Sequence, residues 1–180
     1  MSATNVFESG LLSLIFENAN YANVGDATGL RGSSTAGVFY ISLHTADPGE
    51  GGSQNTTESA YTNYVRVSVA RSTAGWTVAS GVADNDAAIT FAQCGVTGST
   101  ITNFGIGSDS SGAGNLFLKG ASALVVSQNI TPLFAIGALD ITLDIFNITH
   151  VKDTMGAPRS LWRAKYGKGS ALKRANGPEF

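Results

Sequence analysis

Two histidines, thirteen carboxylates and one cysteine are the groups in this 180-residue sequence with chemistry to offer. Acid–base catalysis needs paired groups in contrasting environments, and nucleophilic catalysis needs a base within hydrogen-bond reach of the nucleophile. His44 precedes a loop, His150 stands far along the chain, and no ligand spacing connects them. Asp84-Asn85-Asp86 reads as a turn whose side chains bond the local backbone. Asp140 and Asp144 fall on the outer face of an alternating strand. The glycine-rich run from Gly105 to Gly114 lacks the Lys-Ser/Thr pair and the following helix of a phosphate loop, and reads as a hairpin connection. Cys94 has no cation near it in sequence and reads as a small buried hydrophobe. As the only cysteine it excludes an intramolecular disulfide or a cysteine-based zinc site. The sequence therefore predicts a non-enzyme, with no catalytic, cofactor-binding or metal-binding residues.

The elements that would position these groups are mostly strands. Near the N-terminus Asn5 and Glu8 have capping-box spacing, and Phe7, Leu11, Leu14 and Ile15 fall on one helical face, ended by Asn18 to Asn23. Gly10 weakens that helix by about 1 kcal/mol relative to Ala, so it needs a sheet to lean on. From Gly37 the pattern alternates: Phe39, Ile41 and Leu43 point one way, Tyr40, Ser42 and His44 the other. Asp47 to Ser59, with its Pro and glycines, is expected to be a long exposed loop. Tyr61 to Arg71 alternates again, with Val65, Val67 and Val69 opposite Tyr64, Arg66 and Ser68. Shorter strands are expected at Trp76–Val78, Ala88–Phe91, Ile101–Gly107, Leu116–Leu118, Ala123–Ser127 and Leu139–Ile145, separated by Gly, Ser and Asn clusters. The expected fold is mainly β: an antiparallel β-sandwich or jelly-roll-like domain over residues 1–146, with one N-terminal helix and Trp76 in the core.

Alternation stops near Phe146. Residues 147–180 hold scattered apolar side chains among Gly, Pro and cations, and read as a basic extended arm that only a partner would order. Charge divides at the same place. The arm carries seven cations against Asp153 and Glu179, a net +5, while the body carries Arg31, Arg66, Arg71 and Lys119 against eleven carboxylates, a net −7. Arg159, Leu161, Trp162, Arg163, Lys165 and Tyr166 are the candidate interface residues, because an aromatic among cations with little else to pack on reads as an anchor. Charged residues are only 13% of the chain where about 25% is usual, which suits a protein packed against copies of itself. The apolar run Leu11 to Phe16 is too short for a signal or a membrane span. The acidic body argues against a nucleic-acid partner.

Several segments in their order resemble a family of small tailed-phage virion proteins of the tail-fibre-like or head-decoration type. They are Leu11-Leu12-Ser13-Leu14-Ile15-Phe16, Tyr40-Ile41-Ser42-Leu43-His44-Thr45-Ala46-Asp47-Pro48-Gly49, Tyr64-Val65-Arg66, Ile89-Thr90-Phe91, Ile101 to Ile106, Gly114-Asn115-Leu116-Phe117 and Gly137 to Asp144. The resemblance covers about residues 1–146, and the arm departs from it. It implies a virion component, made in the host cytoplasm, without catalytic residues or cofactor. The leading expectation is a capsid decoration (cement) protein that stabilises the head by self-association, as a trimer or other cyclic homo-oligomer, with its arm reaching the major capsid protein or a sister copy. The alternative is a tail-fibre or baseplate subunit among tail proteins that binds the host surface through loops such as Asp47 to Ser59.

Overall fold

The computed structural model describes residues 3–142 other than 23, 25–28 and 31. Helix α1, Asn5–Leu12, opens at Thr4, whose backbone is extended and whose Oγ1 accepts the Phe7 N–H at 3.4 Å. The cap is thus Thr4 and not Asn5, because a cap residue keeps non-helical backbone and Asn5 is already helical. The chain then widens into a π-helical turn, Ser13–Glu17, closed by Asn18 in left-handed backbone (φ 58°). The extra residue in that turn moves the buried face. Leu12 and Phe16 are fully buried, whereas Ile15 of the expected stripe stays 37% exposed. Gly10 has a purpose here: a Cβ would meet the Tyr21 ring at 2.5 Å.

Nine strands follow among the described residues, all paired antiparallel. A four-stranded sheet runs in the order β2 (Val67–Ala70), β1 (Val38–His44), β6 (Ser99–Gly107), β7 (Leu116–Val126). A second has the order β3 (Trp76–Ala79), β4 (Val82–Asn85), β9 (Ile141–Thr142), and β5 (Ile89–Thr90) pairs with β8 (Leu133–Phe134). One core joins them. Leu12 and Phe16 from the helical segment, Phe39, Ile41 and Ile106 from the large sheet, and Trp76, Ala83 and Ile141 from the small one form a single buried cluster. Its centre is aromatic: the Phe16 and Trp76 rings lie 4.7 Å apart and edge-on, and Phe16 and Phe39 lie 5.4 Å apart. The mainly antiparallel β architecture with one N-terminal helix agrees with the sequence.

Four local expectations are corrected. The strand placed at Tyr61 to Arg71 begins only at Val67; before it Asn63 takes left-handed backbone (φ 78°) and Tyr64 N–H bonds Tyr61 O, a turn that alternation does not register. Asp84 and Asn85 belong to β4, since the turn lies earlier, at Ser80-Gly81, where both residues have positive φ as a two-residue I′ hairpin requires. The two strands expected around Leu116 and Ala123 are one strand, β7, which absorbs two register shifts against β6; Gly120 leaves room for the Phe104 ring. Leu133–Phe134, unpredicted, is β8. In the last strand Leu139 and Ile141 are buried and Asp140 and Thr142 exposed, as expected; Leu143, Asp144 and Ile145 lie outside the described residues.

Candidate functional site

The polar face of β1 is closed to solvent at its C-terminal half. Ser42 and His44 are fully buried, because the 45–59 loop folds back over them and carries Gln54, also fully buried, into the sheet. Gly105 and Gly107 on β6 make the space: a Cβ at Gly105 would lie 2.7 Å from Ser42 Oγ and 2.8 Å from His44 Nε2, and one at Gly107 would collide with the Gln54 side chain. The loop is therefore braced, where the sequence suggested an exposed one. Thr45 N–H bonds Thr57 O at 2.8 Å, Ser59 N–H bonds Leu43 O at 2.8 Å, and Gln54 Oε1 accepts the Asp109 N–H at 2.8 Å, tying this loop to the β6–β7 connection.

Ser42 and His44 have the separation of a nucleophile and its base, 2.8 Å from Oγ to Nε2. Their surroundings assign them another role. His44 Nδ1–H donates to Thr56 O at 2.8 Å, which leaves Nε2 as the acceptor of the Ser42 hydroxyl. Burial lowers the histidine pKa from its ordinary value, which favours the neutral ring that this bond pattern uses. Sealed under the loop, the pair is a structural clasp.

Beside it stands a buried ion pair. Arg66 holds Glu58 in a fork, Nε to Oε1 at 2.6 Å and a terminal nitrogen to Oε2 at 2.7 Å, and its remaining donors reach Asp109 O at 2.8 Å and Gly112 O at 2.7 Å. The hydrogen bond to Glu58 raises the Arg66 pKa further. Tyr64 donates to Glu58 Oε1 at 2.9 Å and accepts from Leu43 N–H at 3.0 Å; burial raises its pKa above the ordinary phenol value. Arg66 thus ties the 45–59 loop to the 108–115 connection, and Tyr64 links Glu58 to β1. Alternation placed Arg66 on an outward strand face; the available signal was its isolation among Tyr and Val in a body with few cations.

Of the carboxylates weighed for catalysis, Asp84 and Asp140 come together and Asp86 turns elsewhere. Asp84 on β4 faces Asp140 across the edge, one pair beyond the Ala83↔Ile141 register, while Asp86 accepts from Thr77 Oγ1 at 3.0 Å. Burial, and then the neighbouring Asp140 carboxyl, pushes the Asp84 pKa up, and Asp84 Oδ1 is buried without a hydrogen-bond partner among the described residues. A carboxyl whose folded pKa is raised holds more protons folded than unfolded, so stability rises as pH falls through that pKa and is largest below the unfolded value. Asp140→Asn is accordingly expected to raise stability at pH 7 by a few tenths of a kcal/mol, the scale of a solvent-screened like-charge pair across strands. The gain should vanish toward pH 4. Urea midpoints at pH 7 and pH 4 check this, and equal midpoints for the two proteins at pH 7 would show that the carboxyls do not interact.

Cys94 is buried and bonds Thr97 O, and Trp76 is fully buried, both as expected. The Gly105 to Gly114 run ends β6 and makes the connection to β7. His150 and the interface residues Arg159, Leu161, Trp162, Arg163, Lys165 and Tyr166 lie outside the described residues. Among the described residues no three His, Cys, Asp or Glu side chains gather as metal ligands would, and no helix is long and apolar enough to cross a membrane. Residues 2–142 match the model of a protein family described as Podophage GP4 fiber I protein gp80. No curated protein matches the chain.

Proposed function

The chain belongs to the family of Podophage GP4 fiber I protein gp80, and from that premise we propose that it is a structural subunit of a phage tail fibre. The family match carries this reading, since it spans the β body described above. It supports the tail-fibre alternative over capsid decoration, because the family's description is of a fibre protein. The proposed role is assembly and contact, without catalytic turnover: copies join as a cyclic homo-oligomer, a trimer in the simplest case, beside other tail proteins.

Support for the contact role comes from the braced end of the domain. Asp47, Asn55, Thr57, Ser110 and Ser111 are exposed there on backbone held by the Arg66 and Gln54 bonds. A surface fixed in advance loses little entropy on binding, so this end suits recognition of a host-surface group. The candidate interface residues from Arg159 to Tyr166 supply the contacts between subunits. The reading is tested by immunogold labelling of purified phage particles with antibody to the β body. Label at the tail fibres is expected; label over the head shell would overturn the reading and restore decoration.

A further inference from the structure

We infer that an apolar groove between the π-helical turn and strand β7 receives residues 159–166 of a neighbouring copy, with Trp162 as the anchor; the inference rests on the fibre-subunit reading. The groove measures about 550 Å³, within the range of formed ligand pockets. Leu14, Ile15 and Phe16 form one wall, Phe39 the floor, and Phe117 and Leu118 the other wall. Ile15 and Phe117 leave its lip uncovered, with Phe117 53% exposed. Arg71 also lines it, but four of its five N–H donors are already engaged by Leu14 O, Ile15 O, Ala36 O and Ser33 Oγ. What enters this groove is therefore held by apolar contact.

The occupant follows from charge and reach. Bodies of net −7 repel one another, and the +5 segment after Asn147 is the part of a second copy that such a body attracts. That segment carries Leu161, Trp162 and Tyr166 among its cations, large apolar side chains of the kind that an apolar groove accepts. Trp162 stands twenty residues beyond Thr142, a span of up to about 66–72 Å when extended, against a radius of gyration of about 14 Å for a body of this size. Thr142 itself lines a second recess of about 420 Å³ that shares Ile106 and Leu118 with the groove. Each copy thus presents the groove beside the point where its chain continues, an arrangement suited to a head-to-tail interface closing into a ring.

The test uses full-length chains. An Ile15→Cys chain is mixed with a size-tagged Ala164→Cys chain and treated with a short bis-maleimide; buried Cys94 serves as the blank in the unaltered chain. A cross-linked pair of unequal chains is expected, and adding Phe117→Glu to the groove chain, at an exposed position, should lower its yield at least tenfold. Trp162→Ala in the tagged chain should do the same. No cross-link between copies, or one formed only within a chain carrying both cysteines, would overturn the inference. Gold at the fibre without the cross-link overturns this inference alone, whereas gold on the head shell overturns the fibre reading.

Discussion

Arg66→Ala is expected to cost about 3–5 kcal/mol of stability, the scale of removing one partner from a buried ion pair. The arginine side chain is only 1% exposed, and its loss would leave the Glu58 carboxylate with only the Tyr64 hydroxyl and take their donor from the Asp109 and Gly112 carbonyls. Water would have to enter a place now filled by the guanidinium. Arg66→Met combined with Glu58→Leu should recover the part of the cost that comes from the uncompensated Glu58 charge, while the Asp109 and Gly112 carbonyls keep the rest. Denaturant unfolding at unchanged slope measures both. A loss under about 1 kcal/mol for Arg66→Ala would show that solvent replaces the fork without penalty.

Trp76→Ala should cost a similar amount, about 3–5 kcal/mol, through the cavity it leaves. The indole meets Phe16 edge-on at 4.7 Å and Phe39 at 6.4 Å, so it is the piece on which helix, large sheet and small sheet all rest. Its Nε1–H is buried without an acceptor among the described residues. Trp76→Phe removes that unsatisfied donor along with part of the ring and is therefore expected to cost well under half of the alanine change. Since a domain of this size is stable by only about 5–15 kcal/mol, the alanine protein should unfold at a markedly lower temperature. Calorimetry on the two variants decides the order, and equal losses would show that the indole N–H is satisfied by water.

The alternating strands were legible where one face is apolar and the neighbours are ordinary: β1, β3, β6 and the start of β9 lie where Phe39, Trp76, Ile101 and Ile141 place them. What escaped has physical causes. Ser80-Gly81 carries only a weak turn signature beside Asp84-Asn85-Asp86, so the hairpin was displaced by a few residues. A register shift costs no change in composition, so β7 read as two strands. The braced loop was illegible because its bonds run between residues distant in sequence: Gln54 with Asp109, Arg66 with Gly112, and glycines on β6 whose meaning lies in what they leave empty. Polar burial of this kind has no period.

Arg66 grips the 108–115 connection by two main-chain oxygens, not by any side chain. The path of that connection is therefore independent of most of the letters spelled along it. Ser110, Ser111 and Ala113 are exposed, and substitutions there would alter the displayed chemistry while the ribbon stays where the guanidinium holds it. Gly112, with φ at 73°, and Gly114, where a Cβ would run into the Gln54 and Asp109 side chains, are positions of this stretch that resist a new letter. A lineage of such proteins would be free to change what this tip touches without renegotiating its fold.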